Sequence, residues 1–303
     1  MTSDRNARME PSPRNNRTGS PERAPEKGQL YLVATPIGNL GDLSLRAVEI
    51  LKGVDFIACE DSRHSRPLMD HYGIDRPLVS LHEHNEDERA GRLVERLKRG
   101  ETMALVSDAG TPLINDPGYP LVRLARAEGI PVRPVPGPCA LVAALSASGL
   151  PSHRFAFEGF PPRKKAARTA FFQALLKDPR TLIFYESSHR ISECLDDVAE
   201  VFETSRRVVI ARELTKRFET ILETSASEAP NRVRTQEGMQ RGEFVVLIEG
   251  FIPDAQADVT DEQLRVLQIL LKDHSVKTAV TLTLEIAGGQ KDKVYREALR
   301  LKS

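Results

Sequence analysis

The chain has 303 residues with 43 basic and 43 acidic side chains, which excludes a global electrostatic field as the means of binding nucleic acid and leaves only local patches. Cys59, Cys139 and Cys194 are far apart in the sequence, which argues against a disulfide framework and indicates a reducing compartment. No apolar run is long enough to cross a bilayer, and the N-terminus lacks the apolar core of a signal peptide. We therefore expect a soluble cytoplasmic protein with no membrane partner.

Composition divides the chain into four parts. Residues 1–27 contain four prolines and no Val, Ile, Leu or aromatic residue, and we predict that they form a disordered tail. Residues 28–150 and 151–252 each contain a series of short apolar strands, which predicts two α/β domains that meet near Gly149-Leu150-Pro151. Residues 258–303 contain three short amphipathic segments, which predict a small all-α unit of the helix-turn-helix kind.

The predicted elements follow one another in a regular alternation. In the first domain we predict strands at 30–34, 56–59, 78–81, 103–106 and 132–135, and helices at 44–51, 85–98, 119–128 and 139–148. This alternation predicts a largely parallel sheet covered on both faces. In the second domain we predict strands at 155–158, 181–185, 207–211 and 244–248, and helices at 169–177 and 190–202. The third unit begins with a capping box at Thr260–Gln263, followed by helices at 276–287 and 290–301.

Three loops at predicted strand ends carry the residues best suited to ligand binding: Thr35–Asp42, Ser107–Gly118 and Pro134–Ala140. The central loop has twelve residues, including two glycines and two prolines, and long loops of this kind are usually functional. Open α/β sheets bind ligands beyond the carboxyl ends of their strands, so we expect the site there. The first loop is neither a dinucleotide fingerprint nor a P-loop, because its glycine spacing is wrong and no Gly-Lys-Ser/Thr follows.

The three loops resemble the signature regions of the tetrapyrrole methylases, the class III methyltransferases that use S-adenosylmethionine. The motifs Val33–Asp42, Cys59–His64, Ser107–Gly118 and Phe184–Arg190 look specifically like the branch that methylates the 2′-hydroxyl of a cytidine in 16S ribosomal RNA. The resemblance covers about residues 28–303. It implies a two-domain α/β fold with S-adenosylmethionine in the cleft between the domains, a homodimer, and a substrate that is 16S ribosomal RNA or the assembled small ribosomal subunit.

The resemblance also predicts which residues contact the cofactor. The expected cofactor-binding residues are Pro36, Asp108, Gly110, Thr111, Ile114, Cys139, Ala140, Tyr185 and Glu186. The family at large has Gly-Asp-Pro where this chain has Gly110-Thr111-Pro112, which leaves open whether Asp108 or the Thr111 backbone replaces the family aspartate. Glu186 and Glu243 are candidates for the methionine amine or the ribose hydroxyls, or they are solvated carboxylates.

Methylation of a ribose hydroxyl requires a proton acceptor, for which we predict His64 as the general base and Asp61 as the residue that orients its ring. Alternatively, Asp61 caps a helix, His64 lies on the surface, and bulk water takes the proton. His82 and His84 are spaced for a metal, but no third ligand is evident, so we predict no metal and a substrate-facing role for His84.

Basic clusters supply the charge that RNA requires. The predicted substrate contacts are Arg63, His84, Arg163, Lys164 and Lys165. A further cluster is offset by Glu213 alone in the sequence: Arg206, Arg207, Arg212, Lys216 and Arg217. Two other functions remain open. A methyltransferase for a small tetrapyrrole precursor would need a wide apolar cleft without a basic loop, and a non-catalytic ribosome-assembly factor would not retain the cofactor.

Overall fold

The computed structural model describes residues 26–82, 86–252 and 259–302 of the 303-residue chain. They divide into two compact units. The first unit contains the residues up to Leu175 together with Thr181–Glu249, and the second contains Leu176–Arg180 and the residues from Gly250 onward. The predicted second domain is divided between them, because residues 176–180 and 250–252 belong to the second unit, whereas the described residues of the predicted first domain belong to the first unit. Apart from its last two residues, the predicted tail 1–27 lies outside the described part of the chain.

The first domain is built on five strands: β1 (Leu30–Val33), β2 (Phe56–Cys59), β3 (Leu78–Ser80), β4 (Met103–Val106) and β5 (Val132–Val135). They form a sheet in the order β3-β2-β4-β1-β5, and every pairing is parallel. The connecting helices are α1 (Leu45–Gly53), α2 (Ser62–His71), α3 (Glu86–Lys98) and α4 (Tyr119–Ala127). Tyr31 and Leu30 belong to different buried clusters, since successive side chains of a strand point to opposite faces. The predicted parallel sheet is confirmed.

The second domain has a different kind of sheet. Its strands are β6 (Phe155–Phe157), β7 (Thr181–Ser187), β8 (Arg207–Arg212), β9 (Thr220–Ser225) and β10 (Glu243–Ile248). Their order is β6-β7-β10-β8-β9, and only the β6–β7 pairing is parallel among the described strands. The helices around it are α5 (Ala140–Ala147), α6 (Lys165–Leu175), α7 (Ile191–Val201) and α8 (Ala229–Thr235).

Helix α5 joins the two sheets. It follows β5 of the first sheet, yet Leu141, Ala144 and Leu145 pack in one buried cluster with Ile183 of β7 and Val245 of β10. The small side chains of α5 favour this close packing. As a result, the carboxyl end of β5 is brought directly against the second sheet.

The second compact unit contains three helices, α9 (Asp261–Leu270), α10 (Val276–Ala287) and α11 (Lys291–Lys302). The predicted capping box is confirmed, because the Thr260 hydroxyl accepts the Gln263 N–H at 3.2 Å and the Gln263 side chain accepts the Thr260 N–H at 2.9 Å. Leu267, Val280 and Val294 form the centre of its core. Throughout the described ranges, no helix is both long enough and apolar enough to cross a membrane.

Four elements differ from the sequence prediction. Helix α2, which contains Pro67, was anticipated only by the alternative that Asp61 caps a helix. Strand β9 and helix α8 were not predicted: β9 buries only alternate residues at a sheet edge, and α8 contains a proline and only one large apolar side chain. Helix α6 begins at Lys165 instead of Thr169, so that Lys165 and Arg168 lie in a helix and not in a loop.

Candidate active site

The three predicted loops meet at the carboxyl edge of the first sheet and are bonded to one another. Thr35 and Gly110 exchange two backbone hydrogen bonds of 2.9 and 3.1 Å. The Thr35 hydroxyl donates to the Ser107 carbonyl at 3.1 Å, and the Thr111 hydroxyl donates to the Pro138 carbonyl at 2.9 Å. These bonds hold the loop backbones in place before any ligand arrives, which reduces the ordering cost of binding.

The central loop between β4 and α4 has an unusual backbone. Gly110 has a φ of +87°, and Leu113 and Asn115 have positive φ values of 71° and 66° although they carry side chains. Such residues cost about 1–3 kcal/mol each and are concentrated at functional sites. The far end of the loop is fixed where the Gly118 N–H donates to the Glu86 carboxylate at 2.7 Å.

A cavity of about 330 Å³ lies between these loops and the second sheet. This is within the roughly 300–1,000 Å³ typical of small-molecule sites. Eight of the nine predicted cofactor-binding residues line it, namely Asp108, Gly110, Thr111, Ile114, Cys139, Ala140, Tyr185 and Glu186. The ninth, Pro36, is not part of the lining, but its neighbour Ile37 is. The structure therefore brings together residues from the loops after β1, β4 and β5 and from β7.

The charge of the cavity wall is strongly acidic. Four carboxylates, Asp108, Asp116, Glu186 and Glu243, line the cavity against one cationic side chain, Lys216. Glu243 is paired with Lys216 at 2.6 Å, and Lys216 also contacts Glu213, which does not line the cavity, at 2.9 Å. Glu186 lies 3.3 Å from Arg190, which leaves Asp108 and Asp116 without an ion pair among the described residues, and this excess of carboxylates favours a ligand that carries positive charge.

Glu186 is the most deeply buried of these carboxylates, since its side chain is 0% exposed. Oε1 accepts the Ser187 N–H at 2.8 Å. Oε2 lies 3.3 Å from Arg190 Nη2, but within the described part of the chain it accepts no hydrogen bond of good geometry. A buried acceptor without a hydrogen bond costs about 1–3 kcal/mol, so a donor group on a ligand would be stabilised here.

An aromatic cluster forms another part of the wall. The Tyr185 ring makes edge-to-face contacts with Phe157 and Phe160 at centroid distances of 4.7 and 5.8 Å. The Tyr185 hydroxyl accepts the Leu141 N–H at 3.2 Å, and burial raises the pKa of this phenol. Phe160 is 47% exposed while it lines the cavity, so a flat ring could contact it.

Asp116 is a lining residue that the sequence did not reveal. Burial, and then the negative charges of Glu60 and Asp108, raise its pKa to about 6. In the sequence, Asn115-Asp116-Pro117-Gly118 is typical of an ordinary turn. Asp108 and Asp116 come from different parts of the central loop, and Glu60 follows β2. Only the folded structure shows that these three carboxyl groups are neighbours.

The predicted base His64 and its partner Asp61 do not line the cavity, although the Asp61 N–H donates to the lining residue Asp108 at 3.3 Å. Asp61 is the N-cap of α2 and accepts the Arg63 N–H at 2.8 Å, while its other oxygen is 2.8 Å from Arg63 Nη2. This partnership lowers the pKa of Asp61 to about 2. His64 is exposed on α2 and is not among the residues that line the cavity. The His64 backbone N–H donates to the Asp61 carbonyl at 3.1 Å, but among the described residues no hydrogen bond joins the Asp61 carboxylate to the His64 ring, and a catalytic role for either residue remains a prediction.

The predicted RNA contacts divide into two groups. Arg163 and Lys164 are exposed, as is Arg63. Lys165 is 3.2 Å from Glu200, and the adjacent Arg168 is buried against Asp197 at 2.6 Å. His84 lies outside the described residues, and the metal site considered for His82 and His84 therefore does too.

The second basic cluster was predicted to be offset by Glu213 alone, and this is wrong. Arg207 contacts Glu223 at 2.8 Å and Glu249 at 3.1 Å, and Arg206 and Arg212 are buried. The two acidic partners of Arg207 come from β9 and from the end of β10, which are distant from it in the sequence.

Fold and site together define a class of protein. Residues 29–230 match the family of Tetrapyrrole (Corrin/Porphyrin) Methylases, and residues 257–302 match the RsmI C-terminal HTH domain. A uroporphyrin-III C-methyltransferase from Thermus thermophilus, solved with S-adenosyl homocysteine, shares the fold with a TM-score of 0.50 at 18% identity, over 72% of this chain and 96% of that chain. The chain belongs to the tetrapyrrole methylase family and is an S-adenosylmethionine-dependent methyltransferase.

Two curated relatives are more similar, and both are named ribosomal RNA small subunit methyltransferase I. The protein from Pseudomonas aeruginosa is 53% identical over 274 residues, which cover 90% of this chain and 97% of the relative. The protein from Xylella fastidiosa (strain Temecula1) is 54% identical over 269 residues, which cover 88% and 98%. Within the family, the chain therefore groups with the ribosomal RNA small subunit methyltransferases I.

Proposed function

We propose that this methyltransferase transfers a methyl group from S-adenosylmethionine to the ribose 2′-hydroxyl of a cytidine in the 16S ribosomal RNA of the small subunit. The names of the relatives support small-subunit ribosomal RNA as the substrate, and the motif resemblance supports the cytidine 2′-hydroxyl. The observation that carries the proposal is the acidic, preformed cavity at the carboxyl edge of the first sheet, built from the same loops that resemble the family signatures.

The residues of the cavity fit the cofactor. S-adenosylmethionine supplies a methyl group activated on a positively charged sulfur. Oε2 of Glu186 would accept a hydrogen bond from the methionine ammonium group of the cofactor. The excess of carboxylates in the cavity wall matches the net positive charge of S-adenosylmethionine. The cross-linked backbones around Gly110 and Cys139 would hold the nucleoside, with Phe160 and Tyr185 as apolar contacts for its ring.

RNA would approach from the side of Phe160. Arg163 and Lys164 follow this lining residue by three and four positions, and both are exposed. Exposed cations at the edge of a site bind phosphate and orient the strand without reading its sequence. The exposed basic residues Lys272, Lys277, Lys291 and Arg296 of the C-terminal unit would supply further contacts to the ribosomal particle.

The direct test is a transfer assay on small subunits from cells that lack this protein. With radiolabelled S-adenosylmethionine, we expect one methyl group per subunit. It should lie on a ribose whose 3′ phosphodiester bond then resists alkaline hydrolysis. A methylated base, or labelling of a tetrapyrrole precursor in place of RNA, would contradict the proposal. Failure to bind S-adenosylmethionine in calorimetry would instead favour a non-catalytic assembly factor.

We also propose that the protein acts as a cytoplasmic homodimer, as the family resemblance implies. Light scattering of the purified protein is expected to give twice the mass of a 303-residue chain. A mass that stays at that of a single chain across the accessible concentration range would contradict this part of the proposal.

A further inference from the structure

The transfer proposed above leaves one proton unassigned, and the carboxylates of the cavity differ in their freedom to accept it. Glu243 is held by Lys216 at 2.6 Å, and Glu186 is held by the Ser187 N–H and lies 3.3 Å from Arg190 Nη2. Asp108 accepts the Asp61 N–H at 3.3 Å. Asp108 and Asp116 form no ion pair within the described ranges. Of the two, Asp116 has no backbone N–H donor there, and the acids Glu60 and Asp108 lie close to it.

Asp116 is also held in position. It lies between Asn115, whose φ is +66°, and the Pro117-Gly118 end of the central loop, where the Gly118 N–H is bonded to Glu86 at 2.7 Å. A strained and anchored backbone fixes the direction of the side chain better than a flexible loop would. The groups around the Asp116 carboxylate are the Ser107 hydroxyl, the acids Glu60 and Asp108, and Tyr185 on β7.

These surroundings make the carboxylate a stronger base than an ordinary aspartate. Burial and the two acidic neighbours raise the pKa of Asp116 to about 6, while the Ser107 hydroxyl acts in the opposite direction. A general base is most effective when its pKa lies close to the working pH, because it is then both deprotonated and basic. Lys216, the one cation among the described residues that line the cavity, is paired with Glu213 and Glu243.

We propose that Asp116 is the general base that takes the proton of the ribose 2′-hydroxyl. This inference rests on the proposed function. In the step, the 2′-O–H bond breaks and its proton moves to an Asp116 oxygen, directly or through one water. The oxygen electron pair forms the new O–CH3 bond as the S–CH3 bond of the donor breaks. Asp116 then releases the proton to solvent.

The test compares Asp116→Asn, which keeps the shape of the side chain and removes its basicity, with Asp75→Asn, the same change on the exposed turn after α2. Under single-turnover conditions with saturating cofactor and small subunits, Asp116→Asn should lower the rate about 10²–10⁴-fold. The rate of the wild-type protein should rise through pH 6, and Asp116→Asn should abolish that rise. Asp75→Asn should match wild type in both respects, and Asp116→Glu should recover part of the pH-dependent rate.

A second readout does not depend on turnover. Folding raises the pKa of Asp116 from 3.8 to about 6. Between these two pH values, Asp116 is therefore mostly protonated in the folded state and mostly deprotonated in the unfolded state. Wild-type stability should therefore fall relative to Asp116→Asn as pH rises from about 4 to 6, and the difference should stay constant above 6. Urea unfolding of both proteins at several pH values measures this difference.

The outcomes separate the two proposals. If wild type forms no 2′-O-methyl product, the proposed function fails regardless of Asp116. If wild type forms it and folded Asp116→Asn retains at least a tenth of the rate with an unchanged pH profile, Asp116 is not the base. A large loss of rate in His64→Ala together with normal turnover in Asp116→Asn would assign the proton to His64.

Discussion

The two sheets contribute to one cavity in opposite ways. The first sheet contributes strand ends: its parallel strands all finish at one edge, and the loops that follow them are bonded through backbone groups, as between Thr35 and Gly110. The second sheet contributes strand faces and edges, and its lining carboxylates are held by side-chain cations, as in the pair of Glu243 and Lys216.

The two kinds of contact therefore control different properties of the cavity, namely its shape and the charge of its wall. Backbone bonds between loops fix where a ligand can lie, and they change little with pH or salt. Side-chain pairs such as Glu186 with Arg190 can be exchanged for contacts with a ligand, because a charged group on the ligand can replace the cation. We therefore expect glycine substitutions in the loops of the first sheet to affect cofactor binding through backbone geometry, and carboxylate substitutions in the second sheet to affect it through electrostatics.

The largest effect is expected from Gly110→Val. The φ of +87° at Gly110 is strained for a side chain, whose Cβ would also lie 3.4 Å from Ile37 Cγ2 in the cavity wall. Cofactor affinity measured by calorimetry should fall by about 100-fold or more, because a loss of roughly 3 kcal/mol corresponds to that factor.

Gly100→Val is the matched control, because Gly100 also has a positive φ, of +93°, but among the described residues no atom beyond its chain neighbours lies within 4 Å of the position its Cβ would take. Both variants should lose stability, and only Gly110→Val should lose the cofactor. Equal cofactor affinity in the two folded variants would break the assignment of shape to the first sheet.

Glu186→Gln should have the next largest effect. It keeps the size of the side chain and removes the charge that we assign to the methionine ammonium group. A hydrogen bond to a charged group contributes about 1.5–3 kcal/mol, so affinity should fall about 10- to 100-fold. Glu223→Gln, which removes another strand carboxylate paired with an arginine, should leave affinity unchanged. If Glu186→Gln also binds normally, the acidic wall does not recognise the cofactor.

The double variant Arg163→Ala with Lys164→Ala should weaken RNA binding without changing cofactor affinity. The slope of log K against log salt should fall by about 0.9 for each phosphate that the variant no longer neutralises. Lys165→Ala should change the slope less, because Glu200 lies 3.2 Å from this lysine. A slope that is the same in wild type and the double variant would show that the exposed cations are only solvated.

The smallest effect is expected from Asp61→Ala, which removes the N-cap of α2. Hydrogen bonds from Arg63 lower the folded-state pKa of Asp61 to about 2, below its usual 3.8, so its stabilising charge is present above pH 4 and is lost as pH falls through 2. The melting temperature should therefore drop modestly at pH 7 and converge with wild type near pH 2. A large loss of turnover at unchanged stability would instead support the predicted catalytic role of Asp61.

The sequence by itself determined the structural features that depend on residues close together along the chain. Apolar strands such as Met103–Val106 alternate with amphipathic helices, and this local pattern predicted the parallel sheet and the edge at which its loops gather. Turn residues and long motifs marked the three loops. Eight of the nine residues predicted to contact the cofactor line the cavity: six come from these loops, and Tyr185 and Glu186 come from the motif Phe184–Arg190.

Only the tertiary structure decided which charges face one another. The raised pKa of Asp116 arises from burial and from the charges of Glu60 and Asp108, and Arg207 pairs with Glu223 and Glu249 on other strands of its sheet. The antiparallel pairing of β7, β10 and β8 also joins segments that are distant in the sequence. Electrostatic energy depends on distances in space, which local periodicity does not contain. For this reason the sequence predicted His64 as the base, and Asp116 could be proposed only from the folded cavity.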